Sequence, residues 1–234
     1  MRKLILLTLS LVIIQSAFAQ KKEWYSTSGW EMPFQFATIS SNTPGIHTSN
    51  VMRWAPVLNL NFYGNYDFSN GFGVFSGFTL RNVGYISDFK GDSAIYFSST
   101  EVRKKFRTYN IGVPIGIKLG KLDGLFFYGG FHIEYAFNYK EKTFVDGRRQ
   151  ERFTVWFGDH QEQFPMSLFA GIQTKHGLNV KFQYYLNNFH NKDFYDSVNG
   201  TKPYSGFDSN VFYVSLNFAV FKNTDLYYKE YDND

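Results

Sequence analysis

The chain has 234 residues, no cysteine, and a formal net charge of +4. Zero Cys excludes a disulfide scaffold, and a small charge spread along the chain gives no support to nucleic-acid binding. Aromatic residues make up 21% of the sequence while mean hydropathy stays at −0.30, a combination that fits β-strands and membrane–water interfaces.

In chain order, residues 1–19 read as a secretory signal peptide. Arg2 and Lys3 precede an apolar run from Leu4 to Ile14, and Ala17-Phe18-Ala19 forms a small-x-small site before Gln20. The run is too short to cross roughly 30 Å of hydrocarbon as a helix, and no later stretch approaches 18 unbroken apolar residues. Residues 20–29 are then expected as a periplasmic N-terminal segment, 30–221 as one β-barrel domain, and 222–234 as a periplasmic tail. A barrel of about 200 residues commonly stays undivided.

Eight segments alternate as strands do: 30–39, 56–68, 71–86, 106–119, 125–141, 163–174, 178–189 and 210–221. The clearest is LNLNFYGNYDF, residues 58–68. Leu58, Leu60, Phe62, Tyr66 and Phe68 take one face, and Asn59, Asn61, Tyr63, Asn65 and Asp67 the other. Connections alternate too. Long polar loops near 40–55, 87–105, 142–162 and 190–209 follow the odd-numbered segments, and tight turns follow the second, fourth and sixth. Long loops on one rim and short turns on the other describe an eight-stranded, antiparallel, up-and-down transmembrane β-barrel of the bacterial outer membrane, with both termini periplasmic.

Pairing across the tight turns tests this. Asp67 opposite Gly73 implies Asn65–Phe75, Tyr63–Gly77, Asn61–Thr79 and Asn59–Arg81. The second hairpin is expected to set Lys118 against Phe126, Gly112 against His132 and Asn110 against Glu134. The third sets Gln173 against Asn179, Gly171 against Lys181 and Ser167 against Tyr185. Each hairpin keeps polar residues opposite polar ones, as a continuous sheet face requires. That polar phase is Asn, Gly, Thr, Gln and Tyr with charges of both signs, and suits a narrow lumen in which Gly makes room for rings. The apolar phase is nearly free of charge, as lipid contact demands. Pro33, Pro114 and Pro165 fall inside strands, where bulges are expected.

From Arg107 to Phe137 the sequence RTYNIGVPIGIKLGKLDGLFFYGGFHIEYAF resembles the strand–turn–strand of the small PorT-like, porin-like outer-membrane barrels of Bacteroidetes. Here Ile111 and Pro114 are separated by two residues, where that family sets Ile next to Pro. The resemblance implies location and fold rather than an activity.

Candidate chemistry is sparse. His132 and Glu134 share the inward face of the fifth segment with Ser167 on the sixth, the residue types of a hydrolase triad. With the connecting loop centred near residue 152, Ser167 pairs near Phe137, too far from His132 for proton transfer at 3.4 Å per residue. No catalytic residue and no enzyme is expected. The histidines are isolated, with His160 read as an exposed loop residue, so no metal or other cofactor is expected. Arg81, Lys118, His132, Glu134 and Lys181 are expected as a charge network plugging the lumen, since eight strands enclose only side chains. Arg103, Lys105, Arg107, Arg148 and Arg149, with Arg152, lie on the long-loop rim, where lipopolysaccharide phosphates gather. The expected function is structural, adhesive or complex-forming. The expected partners are outer-membrane lipid and lipopolysaccharide, and other outer-membrane or periplasmic proteins. A narrow solute channel and a lipid-modifying or hydrolytic enzyme are the alternatives.

Overall fold

The computed structural model describes residues 23–42, 46–91 and 102–222. The signal peptide and the 223–234 part of the tail lie outside the described residues. Eight strands close a ring: β1 (Glu23–Ser41), β4 (Leu60–Ser69), β5 (Phe72–Gly91), β6 (Val102–Gly120), β7 (Phe126–Val145), β9 (Met166–Gln173), β10 (Leu178–Tyr185) and β11 (Phe207–Lys222). Every neighbouring pair is antiparallel, and β11 returns to β1 from Thr27 opposite Lys222 to Ser41 opposite Phe207. Closure leaves no sheet edge in the ring. Three further strands, β2 (Ile46–Val51), β3 (Arg53–Trp54) and β8 (Arg148–Trp156), extend single staves on β5, β1 and β7.

Polarity is inverted relative to a soluble barrel. Phe62, Phe78, Ile115, Phe127 and Leu168 point outward, each at least half exposed, while Glu31, Arg81, Glu134 and Lys181 are buried inside. The two faces follow the alternation seen in the sequence. Small residues in the polar phase accommodate rings: a Cβ built on Gly116 would stand 2.4 Å from the Phe75 ring, and one on Gly171 2.4 Å from Tyr128.

The first and third hairpins pair as expected from Asp67–Gly73 to Asn61–Thr79 and from Gln173–Asn179 to Ser167–Tyr185. The second is slipped by two residues: Lys118 faces Tyr128, Gly112 faces Glu134 and Pro114 faces His132. Its connection is longer than the sequence implied. Gly120, at φ +122°, pairs with Phe126, and Leu122 tucks inward with its amide on the Asn70 carbonyl (2.8 Å). A slip of two preserves the faces, so the inside–outside assignment is unaffected.

Four expectations are corrected. Strand β1 begins at Glu23 rather than near residue 30, with Glu23 to Trp30 pairing with β4. The second segment starts at Leu60, because Leu58 sits at φ +61°. Asn59 consequently pairs through its side chain, accepting the Asn82 amide at 2.9 Å and donating to the Ala55 carbonyl at 2.6 Å. The loop at 142–162 contains a hairpin. Asp146 and Gly147 both have positive φ (47° and 74°), the signature of a two-residue type I′ turn, and β8 folds back along β7.

The prolines interrupt ladders without shifting register. Pro33 directs its carbonyl to Ala55 N, in the gap between the parts of β1 paired with β4 and with β3. The Pro114 carbonyl takes the Ser76 hydroxyl at 2.8 Å where the β5–β6 pairing lapses between Ser76 and Thr79. Pro165 lies just before β9.

Candidate functional site

The lumen is crossed by a buried polar network to which all eight ring strands contribute. Glu31 from β1 bonds Arg81 from β5 at 2.5 Å and Lys181 from β10 at 2.8 Å, and accepts the Ser215 hydroxyl from β11 at 2.5 Å. Arg81 also reaches Asn61 on β4 (3.1 Å), Tyr213 on β11 (2.7 Å) and, through Nε, Glu134 on β7 (3.4 Å). Glu134 in turn accepts from Asn110 on β6 at 2.6 Å and from Tyr185 at 3.0 Å. Two cations therefore face two carboxylates, each held by several donors, the condition under which buried charge is tolerated.

Of the expected plug residues, Arg81, His132, Glu134 and Lys181 meet in this cluster. Lys118 does not. It sits nearer the short-turn rim, bonded to Asp67 (2.5 Å), Tyr25 (2.8 Å) and Asn65 (3.2 Å). Glu31, which is not among the expected plug residues, anchors the cluster. Its partners come from strands 50 to 184 positions away, a distance over which alternation carries no signal.

Ser167 lies directly opposite His132, not near Phe137. The hidden β8 hairpin uses up the loop residues that had placed it further away. Even so, no Ser–His pair forms. Gln183 Nε2 donates to Ser167 Oγ at 2.8 Å and stands 3.3 Å from His132 Nδ1. The imidazole instead bridges Thr79 Oγ1 (2.9 Å from Nε2) and Glu134 Oε1 (2.9 Å from Nδ1). Thr79, His132, Glu134 and Ser167 are all at most 2% exposed. The arrangement makes a buried hydrogen-bond relay and presents no nucleophile to a substrate.

Towards the long-loop rim the lumen becomes apolar. Val83, Tyr85, Phe106, Tyr139 and Tyr213 form a core inside the barrel. The connections after β8 and β10 fold over it. Glu162 donates its amide to the Phe189 carbonyl at 3.0 Å, and Asn191 to the His160 carbonyl at 3.1 Å. His190 stacks on Tyr204 (centroids 4.3 Å apart, 13°) and bonds the Tyr85 hydroxyl at 2.8 Å. Burial pushes the His190 pKa down to about 3, so the ring is neutral and packs as part of the cap. His160 is no exposed loop residue, since it packs on Tyr139 and Phe194 with centroids 5.4 and 4.0 Å away.

The outside of β6, β7 and β8, beyond the apolar belt, carries cations in cross-strand rows. Lys105 pairs with Lys142 and Lys142 with Arg152, while Arg107 pairs with Lys140 in the next row. Arg149 pairs with Phe144, over whose ring Lys105 lies at 4.8 Å. Partial burial, then the surrounding arginines, lower the pKa of Lys140 and of Lys142. Arg103 bonds Asp88 with two hydrogen bonds (2.6 and 2.8 Å), and Arg107 stacks on Tyr109 and donates to Asn138. Arg148 pairs with Val145, one position out of phase, and so falls on the opposite face of the hairpin from Arg149. Sequence reasoning missed Lys140 and Lys142 because only the β8 hairpin brings them into register with Arg152. Like charges directly opposite one another on a sheet are destabilising unless an anion joins them.

No protein-family model and no characterised protein matches the sequence, and the PorT-like resemblance remains one of motif. Solved structures similar to the chain include Ail, the attachment invasion locus protein of Yersinia pestis (12% identity, TM-score 0.34, 83% of this chain and 97% of that one). The same protein in complex with the heparin analogue sucrose octasulfate is similar at 11% identity and TM-score 0.36, over 83% of this chain and 98% of that one. The outer membrane protein OprG from Pseudomonas aeruginosa is similar at 10% identity and TM-score 0.37, over 85% and 96%. At such identities and scores, the architecture of this chain rests on its own strand pairing.

Proposed function

We propose that the protein is an integral β-barrel of the bacterial outer membrane with a side-chain-filled lumen, serving a structural, adhesive or complex-forming role rather than catalysis. The observation that carries this is the inverted polarity: a charge-free apolar belt outside and paired charges inside. Water has no use for that belt, whereas hydrocarbon requires it, and ring closure satisfies the backbone groups lipid cannot. In this reading residues 1–19 are cleaved on export, and both ends of the barrel chain face the periplasm. The direct test is extraction of cell envelopes. The protein should stay with the outer membrane through salt and alkaline washes and leave only with detergent. Release by washing alone would overturn the reading.

The lumen network and aromatic cap favour a closed barrel over the narrow-channel alternative. Reconstituted in planar bilayers, the protein should show no ohmic single-channel steps; reproducible steps would establish the channel.

The cation rows on β6–β8 support lipopolysaccharide as the partner in this reading. Arg103, Lys105, Arg107 and Arg149, joined by Lys140, Lys142 and Arg152, fit the spaced phosphates of lipopolysaccharide at the level where the strands leave the bilayer, with Arg148 off this face. Each basic residue at an anionic membrane surface contributes roughly 1 kcal/mol. Reversing Lys105, Lys142 and Arg152 to Glu should therefore cut lipopolysaccharide co-purification by about tenfold or more. Retention equal to the unaltered protein would remove this part of the proposal.

A further inference from the structure

The half of the lumen between the charge network and the short-turn rim holds a cavity of ≈ 260 Å³. The turn between β9 and β10 contributes to its lining, so the cavity opens toward that rim. The charges deep in its lining are already matched. Arg81 and Lys181 pair with Glu31, and Lys118 pairs with Asp67. Lys175 and His176 stand exposed in the turn at the mouth. An ion settling on the inner lining would compete with a buried pair, at a cost in desolvation and lost attraction. An uncharged molecule would leave the pairs intact.

The walls offer such a molecule two kinds of contact. Tyr63, Phe75, Tyr128 and Phe169 form a ring cluster, with Phe75 5.3 Å from Tyr63 and 6.0 Å from both Tyr128 and Phe169. Beside the rings stand side-chain amides in a fixed chain. Asn179 accepts from the Tyr128 hydroxyl at 2.5 Å and from Asn217 Nδ2 at 3.2 Å, and donates to Gln173 Oε1 at 3.3 Å. Tyr128, Gln173 and Asn179 are half-buried, and all three line the cavity. The Tyr128 ring rests over Gly171, where a Cβ would stand 2.4 Å from it. Rings and amides are thus held in place by their own contacts, which lowers the ordering cost of binding.

We propose that this cavity binds an uncharged saccharide of one hexose or N-acetylhexosamine ring. A sugar ring is apolar across its C–H faces and carries hydroxyls around its edge, the same division the wall makes between rings and amides. Aromatic residues with a polar tip, such as Tyr63 and Tyr128, serve both parts. Drug-sized ligands fill pockets of roughly 300–1,000 Å³, and ≈ 260 Å³ suits a smaller ligand of one ring. The inference does not rest on the membrane assignment or on lipopolysaccharide, because the cavity lies inside the barrel whatever surrounds it.

The test is saturation-transfer NMR on the full-length protein in a detergent without a sugar headgroup. The probes are glucose, galactose, mannose and N-acetylglucosamine, with glucosamine and glucuronate as charged counterparts. At least one uncharged sugar should bind with a dissociation constant of about 1 mM or tighter, ordinary for a ligand of this size. Asn179→Leu, which removes the central amide, should weaken it about fivefold or more. Thr154→Ala, on the outside of β8, should leave it unchanged. Heat-modifiable gel mobility checks that each variant is folded. If Asn179→Leu does not fold, Gln173→Leu takes its place. No transfer to any uncharged sugar, equal binding in a folded cavity variant, or tighter binding of a charged counterpart overturns the proposal.

Discussion

Replacing Glu31 with leucine is expected to destabilise the barrel by about 3–5 kcal/mol, the cost of leaving a buried partner charge uncompensated. Glu31 is fully buried and is the shared acceptor for Arg81 and Lys181. Its removal leaves two buried cations without their shared carboxylate, with Glu134 left to serve Arg81 from 3.4 Å. The measurement is urea-induced unfolding in detergent or liposomes, followed by heat-modifiable gel mobility. A second variant separates lost charge balance from lost packing. Glu31→Leu combined with Lys181→Met leaves Arg81 beside Glu134 as a single pair, and should recover at least half of the loss. A Glu31→Leu shift below about 1 kcal/mol would show that the network contributes little to stability. Removal of Lys118 with Asp67 should couple weakly to either variant, because Lys118 bonds Asp67, Tyr25 and Asn65 nearer the short-turn rim.

Ile115→Arg should have the other large effect. Ile115 is 62% exposed and stands midway along the outward row Ile111, Val113, Ile115, Ile117, Leu119 of β6. An arginine at the bilayer midplane on the lipid face of a barrel costs about 2–4 kcal/mol. Assembly into the outer membrane should fall several-fold, read as loss of the heat-modifiable form in purified envelopes, with the protein diverted to degradation. Thr154→Arg, beyond the belt on the same outer face of β8, should leave assembly unchanged. The comparison is sharp because Ile115 points outward at 62% exposure: an outward arginine would be harmless, or even solubilising, if that face met water. Normal assembly of Ile115→Arg would argue against a lipid-facing belt.

Much of the architecture was legible because strand periodicity is local. The alternation in LNLNFYGNYDF puts Leu60 and Phe62 outside and Asn61 and Asn65 inside, whatever the neighbouring strands do. Small inward residues signalled ring packing, as Gly116 under Phe75 illustrates. The basic run at 103–107 pointed to a charged outer face. Its full extent was hidden, since Lys140, Lys142 and Arg152 become neighbours of Lys105 and Arg107 only through β8.

The limits are of one physical kind. Face assignment is unchanged by a two-residue slip, so alternation could not tell Lys118–Phe126 from the observed Lys118–Tyr128. Nor could it foresee that Leu58 leaves the strand at positive φ, a state held by Asn59 and Asn82 across the wall. The separation of Ser167 from His132 depended on whether residues 148–156 looped freely or paired with β7, a choice made by the Asp146-Gly147 turn and the sheet edge β7 offers there. By itself the sequence determined the number of ring strands, the inner and outer face of each of them, and which rim carries long connections, because those follow from side-chain period and turn composition. Tertiary structure alone decided which inward charges share a partner, which cations stack into rows, and that a cavity remains beneath Arg81 and Lys181. Those depend on register and closure, which bring together side chains from strands far apart in the chain.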